Sequence, residues 1–483
     1  MTPLPKIEFG TDGIRGVAGE YPLDPSTVLR IGRAVGAWLR TKTDMPQVLV
    51  GRDTRISGNL LLHTLAAGLL SEGVDVVDRG VISTPGIAYL THLHAFDMGI
   101  VISASHNPAE QNGIKLFGAD GFKLDDAAEE AIEGLIETLD ANAPARTSGE
   151  FISYHERPSQ YEIDLQEALA FGDLEDLRLV LDCANGAAYE IAPDAFERAG
   201  CEKMITLNNE PDGFNINVEA GSEHVRRDRS ALVSVVRAYK ADIGIAFDGD
   251  ADRVVLVTPE GMLVDGDHLL GILATEYKAA GKLNGDTVVA TDMSNSGLEH
   301  YLAAQGISLS RTKVGDRYVM ERLREKGFTL GGEQAGHIIV LENSLTAGDG
   351  IYAGLLVASL VARNKREGGP TLHELATAIP RYPQVIASAH LHARIDLKSV
   401  DGLDALTQAT LAGFGGKGRV NLRFSGTEPN LLRAMVEGGP ETTLQEVIDR
   451  ALALCGMVAQ ATHTEHPKID IVDCVTGEPI KVG

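Results

Sequence analysis

Three stretches of the chain share one grammar: an apolar run, a polar loop that opens on aspartate, a helical run, a glycine and a second apolar run. VLVGRDTRISG from Val48 leads to Gly73 and VDVVD, RLVLDCANGAA from Arg178 leads to Gly200, and TVVATDMSNSGLE from Thr287 leads to Gly306. Strand, helix and second strand make the crossover unit of a parallel sheet, so the chain is constrained to α/β folding three times over. Gly73, Gly200 and Gly306 stand where a helix closes on a left-handed residue. Asp53, Asp182 and Asp292 hold the matching place after each first strand, roughly 110–130 residues apart, which is the spacing of domains and not of solenoid repeats.

After about residue 376 the texture changes. HLHARIDL, a helix near Val400 to Leu411, RVNLRFS, LRAMVEG and a helix from Thr442 to Leu454 predict a smaller α+β domain with a mostly antiparallel sheet. Residues 462–483 read as a polar tail holding one short β-like patch, IDIVDCV. A chain of 483 residues is too long for one core, so several domains are expected on length alone.

The formal charge is −25. Such a field repels nucleic acid and anionic membranes, which excludes both as expected partners. A phosphate ligand must then be held by local cations and amides acting within about a Debye length, ~8 Å. The four cysteines form no CxxC pair, and the N-terminus MTPLPKIEFG has neither a basic nor an apolar leader region. These features predict a soluble cytoplasmic protein with reduced thiols.

Four runs carry the chemistry. IVISASHNPAEQNGIK ends a buried strand on a turn containing Ser105, with Lys115 ten residues on, as expected of a serine at the ligand-binding edge of an open α/β sheet. IGIAFDGDADRVVLV sets Asp248, Asp250 and Asp252 at alternating positions, an oxygen cage of the kind hard cations such as Mg²⁺ prefer. It is no calcium EF-hand, because Arg253 and Pro259 stand where that loop needs glycine and glutamate. GGEQAGH brings Glu333 and His337 into a glycine-flanked loop. RFSGTEPNLLR joins Arg423 and Arg433 to Ser425, Gly426 and Thr427, an arginine and hydroxyl set suited to phosphate. FGTDGIRG adds Arg15 near the start, whereas GFGGKG runs from helix into strand, the wrong order for a dinucleotide site.

FGTDGIRG, GRDTRISG, SASHNP with NGIK, CANGA, DGDADR, KVGDRYV, GGEQAGH and RFSGTEPNLLR occur here in the order of the α-D-phosphohexomutase superfamily, and the set most resembles its phosphoglucosamine mutase branch. The resemblance covers the chain to about residue 460. It implies four domains around a central cleft, three similar mixed-sheet α/β domains plus a C-terminal α+β domain of TATA-box-binding-like fold. The divisions expected are 1–157 with the serine loop, 158–257 with the metal loop, 258–376 with the sugar loop, and 377–461, before the tail at 462–483.

Carried across by motif, Ser105 is implied as the phosphoserine, with Arg15, Lys115 and His337 beside it as catalytic groups. Asp248, Asp250 and Asp252 are implied to hold Mg²⁺ together with a phosphoserine oxygen. Arg253, Glu333 and His337 would meet the sugar phosphate, and Arg423, Ser425, Gly426, Thr427 and Arg433 its distal phosphate. The implied reaction interconverts glucosamine 6-phosphate and glucosamine 1-phosphate, with glucosamine or glucose 1,6-bisphosphate as intermediate or activator, and feeds cell-wall precursor synthesis. Glucose or mannose phosphates as substrates, a phosphohydrolase with an aspartyl nucleophile, and a silent sugar-phosphate binder stay open, as does monomer against homodimer. Two residues depart from the pattern: Ala335 stands where serine is usual, and Phe424 where proline or lysine is usual.

Overall fold

A computed structural model of the chain describes residues 6–10, 13–139, 144–342, 346–425, 428, 430–477 and 479–480. They fall into two compact units, Met1–Val225 with Arg229–Asp292 and Ile307–Ala376, and Arg226–Asp228 with Met293–Gly306 and Thr377–Gly483.

The first unit holds three sheets. The first comprises β1 (Ile14–Val17), β2 (Gln47–Arg52), β3 (Asp75–Val81), β4 (Met98–Ile102), β5 (Gln111–Gly118) and β6 (Phe151–Ser153), ordered β1-β5-β4-β2-β3-β6. The second comprises β7 (Arg178–Asp182), β8 (Lys203–Leu207), β9 (Ile243–Phe247), β10 (Val254–Val257) and β11 (Leu263–Val264), ordered β11-β10-β9-β7-β8. The third comprises β12 (Thr287–Thr291), β13 (Ser308–Thr312), β14 (Leu330–Gly332) and β15 (Ile338–Val340), ordered β13-β12-β14-β15.

One four-strand core recurs in all three. A central strand (β2, β7, β12) pairs in parallel with the strand that follows it (β3, β8, β13) and with a third (β4, β9, β14). A fourth strand (β5, β10, β15) then turns back antiparallel on the third. The predicted βαβ units are the first two strands of each core. Gly73, Gly200 and Gly306 have φ of 80°, 94° and 68°, the left-handed helix ends expected of them. β4 and β9 are buried at every position, as strands covered on both faces must be, which is why they read as continuous apolar runs.

The second unit is built on an antiparallel sheet of β16 (Gln384–His390), β17 (Arg419–Phe424), β18 (Leu431–Glu437), β19 (Ile469–Asp473) and β20 (Pro479–Ile480). Two expectations are corrected here. The strand lies upstream of HLHARIDL, because Val385, Ala387 and Ala389 supply the alternation that buries one face, and the chain leaves the sheet after His390. IDIVDCV does not belong to a free tail: β19 lies between β16 and β20, with Ile471 in the core. Fully buried Glu437 accepts from Arg419 Nε (2.9 Å) and the Ser296 amide (3.2 Å), tying helix Ser296–Ala304 into this unit.

Candidate active site

In each of the three cores the turn from the third strand to the fourth carries a motif singled out in the sequence. Ser105 lies between β4 and β5, the three aspartates between β9 and β10, and Glu333 and His337 between β14 and β15. Each loop thus leaves the C-terminal edge of a parallel strand, the edge at which α/β sheets bind ligands.

Ser105 is fully buried and adopts φ 53°, a left-handed conformation that costs a non-glycine residue about 1–2 kcal/mol. Converging hydrogen bonds hold it there. Its amide donates to Ser103 Oγ (2.9 Å), and its carbonyl accepts from Arg55 Nη2 (3.1 Å) and Asn217 Nδ2 (2.9 Å). The same two side chains grip the Asn107 carbonyl, at 2.6 and 3.1 Å. Arg55 is in turn fixed by the buried carboxylate of Asp53, the first aspartate of the threefold pattern. Burial pushes the Asp53 carboxyl above its ordinary value, and Arg55 pulls it back.

Ser105 Oγ donates to Asp248 Oδ2, which joins the serine to the acidic loop. Asp248, Asp250 and Asp252 are buried and present ligand oxygens within 4.8 Å of one another. Burial raises the Asp248 carboxyl well above its usual range, and the charges of Asp252 and Asp250 add to that. Burial and Asp252 also press on Asp250, but Lys115 and Thr84 outweigh them and hold its carboxyl below the usual value. Lys115 Nζ lies 2.6 Å from Asp250 and 3.4 Å from Asp252. Lys115 and Arg253, whose Nε lies 3.8 Å from Asp252 Oδ1, face three clustered carboxylates, which leaves hard oxygen donors in excess of the cations, and among the described residues Asp250 Oδ1 is buried with no hydrogen-bond partner. The donor set fits a divalent cation of the Mg²⁺ class.

Cations border the cluster. The Arg253 amide donates to Asp248 Oδ1 (3.1 Å), and its guanidinium lies 3.1 Å from His106 Nδ1. Burial, then the charge of Arg253, push the His106 ring down to about 4, so it is neutral near pH 7; Arg15 contributes in the same direction. Arg15 pairs in register with Gly113, two residues from Lys115, so Arg15 and Lys115 share one face of the first sheet.

Glu333 Oε1 accepts the Gly315 amide (3.1 Å), and the loop closes through the Gly336 amide on the Glu333 carbonyl (3.0 Å). Burial, followed by the nearby charge of Asp316, raises the Glu333 carboxyl. His337 sits between carboxylates, Nδ1 3.8 Å from Asp252 and Nε2 3.5 Å from Asp316, and Asp316 also pairs with Lys123 at 2.7 Å. A cavity of 130 Å³ opens here, lined by Thr84, Phe117, Lys123, Asp252, Asp316 and His337 among others. Ala335 occupies the tip of the turn, with no side-chain donor to offer.

The arginine loop belongs to the second unit. Arg423 on β17 and Arg433 on β18 are direct cross-strand partners. Like charges in that relation repel, which suits a place where an anion binds. Burial and then Arg433 lower the Arg423 guanidinium. The Ser425 amide donates to the Leu431 carbonyl (2.8 Å), and Ser425 Oγ accepts from the Glu428 amide (3.1 Å). Gly426 and Thr427 lie outside the described residues. Phe424 packs into the core beneath the sheet, so its departure from the pattern changes the core face of β17 rather than the polar face.

Sequence reasoning missed Arg55, Asn217, Thr84 and Asp316, all of which touch the singled-out residues. Arg55 and Asp316 stood inside the quoted runs GRDTRISG and KVGDRYV; Asn217 and Thr84 carried no signal beyond their turn and cap chemistry.

Sequence models of the phosphoglucomutase/phosphomannomutase family match along the chain: alpha/beta/alpha domain I at residues 6–143, domain II at 161–261, domain III at 265–382 and the C-terminal domain at 387–454. The phosphoglucosamine mutase of Symbiobacterium thermophilum is 44% identical over 96% of this chain and 100% of its own. That of Rhizobium meliloti is 42% identical over 94% and 99%. Among solved structures, a phosphoglucomutase/phosphomannomutase family protein from Burkholderia thailandensis superposes with a TM-score of 0.77 at 26% identity, covering 94% of this chain and 98% of that one. Aspergillus fumigatus N-acetylphosphoglucosamine mutase, solved with GlcNAc-6P and magnesium, shares the fold with a TM-score of 0.64 at 19% identity over 94% and 96%. With the whole ordered set of domains matched and such identity sustained end to end, the chain belongs to the phosphoglucosamine mutase family of the α-D-phosphohexomutase superfamily.

Proposed function

We propose that the protein interconverts glucosamine 6-phosphate and glucosamine 1-phosphate through a phosphorylated Ser105 and an enzyme-bound 1,6-bisphosphate. The observation that carries this reading is the buried Ser105 hydroxyl bonded into the Asp248, Asp250 and Asp252 cluster, with Lys115 in the same cluster. In the first transfer the bond from phosphorus to Ser105 Oγ breaks as a bond to the free sugar hydroxyl forms. The proton leaving that hydroxyl ends on Ser105 Oγ, with Lys115 as its carrier. The bisphosphate turns end for end, and its other phosphoryl group returns to Ser105. Phosphoryl transfer asks chiefly for positioning and charge neutralisation. Mg²⁺ held by the three aspartates and a phosphoserine oxygen would offset charge on the transferring group. Arg15 and Arg253 supply further positive charge beside it. Glu333 and His337 hold the sugar, and Arg423, Ser425 and Arg433, with Gly426 and Thr427, hold the phosphate that is not reacting.

Glu333 is the group in the sugar loop that can attract a protonated amine, which favours an amino sugar over glucose or mannose phosphates. Four buried thiols and no disulfide support a reducing cytoplasmic compartment, and no helix among the described residues is long and apolar enough to cross a membrane.

The test is intact-mass and phosphosite analysis of the purified protein, followed by assays with glucosamine, glucose and mannose phosphates. Phosphate is expected on Ser105, stable to hydroxylamine, and glucosamine 6-phosphate is expected as the preferred substrate. Ser105→Ala should lose several orders of magnitude in turnover. A hydroxylamine-labile phosphoenzyme would instead identify an aspartyl nucleophile, and full activity in Ser105→Ala would remove the serine from the mechanism.

A further inference from the structure

Asp250 belongs to the loop of the second sheet, yet the groups that fix its carboxylate come from the first. Thr84 opens helix Thr84–Leu93, which is capped by Ser83 Oγ on the Gly86 amide at 3.2 Å and has Pro85 in its first turn. That capping sets where Thr84 points. Its hydroxyl donates to Asp250 Oδ2 at 2.6 Å, and its amide donates to the Asp250 carbonyl at 2.9 Å. Lys115 Nζ, from β5 of the same first sheet, meets the same Oδ2 at 2.6 Å. Thr84 is 3% exposed and Asp250 is fully buried, so water does not compete for these bonds.

The two oxygens of Asp250 are therefore unlike. Oδ2 receives two donors, while Oδ1 is buried without any among the described residues. An anionic oxygen in that position is unfavourable unless a cation meets it. The two oxygens are themselves chemically equivalent, so what the donors fix is the plane of the carboxylate and the direction in which its second oxygen points, and the Thr84 hydroxyl holds that plane by a route independent of charge. Lys115 alone could not do this. An ammonium on a flexible four-carbon stem can follow the carboxylate as it turns, whereas a hydroxyl at the first turn of a capped helix, anchored by its own amide, cannot.

We propose that Thr84 is a positioning residue for the carboxylate cluster: its hydroxyl and amide fix the orientation of the Asp250 carboxylate and so aim its remaining oxygen at a divalent cation, so that part of the site's cation affinity is contributed from the neighbouring sheet. This rests on the reading of the cluster as a Mg²⁺ site. Groups that orient a metal ligand without touching the metal commonly control 10–100-fold in affinity. Thr84 is not one of the three carboxylates that would ligate the ion, and the effect proposed is on cation binding before any turnover.

Isothermal titration of MgCl₂ into the full-length protein tests it, with Thr84→Val removing the hydroxyl at nearly constant volume and Thr84→Ser keeping it. The expected result is a Kd weakened about 10-fold or more in Thr84→Val and within about threefold of the parent in Thr84→Ser. Thermal unfolding in EDTA, compared with unfolding in saturating Mg²⁺, gives a second readout: the Mg²⁺-dependent rise in Tm should shrink in Thr84→Val. Thr84→Ala serves in the same way if the valine does not fold. A Kd in Thr84→Val or Thr84→Ala within twofold of the parent overturns the proposal, and so does a Thr84→Ser variant as weak as Thr84→Val, since packing and not the hydroxyl would then matter. A parent protein that takes up no Mg²⁺ overturns the cation reading itself and the proposal with it, an outcome distinguished by the parent titration alone.

Discussion

Replacing Arg55 by methionine removes a fully buried guanidinium that serves two ends at once, the Asp53 carboxylate and the carbonyls of Ser105 and Asn107. The electrostatic end sets the magnitude. Breaking a buried ion pair by deleting one partner leaves the other charge uncompensated and costs about 3–5 kcal/mol. The carbonyl end adds less to instability, because Asn217 Nδ2 still reaches both oxygens, at 2.9 and 3.1 Å. The Asp53→Asn change in the same chain should recover most of the loss by removing the stranded charge, leaving about 1–2 kcal/mol for the missing hydrogen bonds. Urea unfolding followed by tryptophan fluorescence suits the measurement. The chain has a single tryptophan, Trp38, and it packs against the core of the first sheet that bears Arg55.

Turnover should behave differently from stability. Without Arg55 the strained Ser105 conformation is held by fewer bonds, and a nucleophile misplaced by about 1 Å can lose on the order of 100-fold in rate. A fall of about 10–100-fold is therefore expected in Arg55→Met, and Asp53→Asn should not restore it, because the amide cannot grip the Ser105 carbonyl from Asp53's position. A destabilisation under about 1 kcal/mol, an additive double mutant, or full recovery of rate in the double mutant would each refute this reasoning.

Three further outcomes are expected. Gly266→Ala places a Cβ 1.9 Å from the Glu333 carbonyl oxygen, so the sugar loop must shift; KM for glucosamine 6-phosphate should rise about tenfold or more, and unchanged kinetics would show that the loop yields freely. Burial raises the Asp349 carboxyl from 3.8 to about 6, against the pull of the Tyr352 amide and Tyr161 hydroxyl, so its contribution to stability is full below about pH 4 and lost as pH rises through 6. Stability measured at pH 4 and pH 8 should accordingly shift toward Asp349→Asn by on the order of 2–3 kcal/mol relative to the parent, and a gap unchanged with pH would contradict it. Glu333→Gln should lower the ratio of kcat/KM for glucosamine over glucose phosphate, while Ala335→Ser should change both by about tenfold or less; a ratio that moves with residue 335 and not 333 assigns discrimination to the wrong side chain.

What could be read in the sequence was what local chemistry writes down. The parallel pairings of β2, β7 and β12 follow from apolar runs broken by aspartate and closed by glycine, and Gly73, Gly200 and Gly306 need the backbone only glycine gives cheaply. The acidic loop was legible because three carboxylates two residues apart have few other uses. HLHARIDL misled because its alternation extends past the point where β16 ends at His390. IDIVDCV looked like part of a tail because a strand of five residues says nothing of its partner, here β16, about eighty residues away. Long-range contacts are the general limit: Asn217 reaches the Ser105 loop across 112 residues and Thr84 reaches Asp250 across 166, and nothing near either residue marks the encounter.

The site's own logic is nonetheless one of repetition. In each core the fourth strand turns back on the third, so the chain must reverse immediately at the C-terminal edge of a buried parallel strand, with no crossover helix to lengthen the path. A short reversal of that kind exposes few residues and leaves their backbone close to its neighbours. A Cβ added at Gly249, in the acidic loop, would lie 2.5 Å from the Ser105 carbonyl, and the Val254 amide, at the end of that loop, donates to the Gly336 carbonyl of the sugar loop at 3.0 Å. The serine loop, the acidic loop and the sugar loop are thus fixed to one another by main chain as well as by side chains. Precise placement of a nucleophile, its charge-balancing cluster and a sugar contact follows from three copies of one reversal whose loops meet. Side chains at the tips, such as Ala335, can then vary without moving the backbone that carries Ser105 and Asp250.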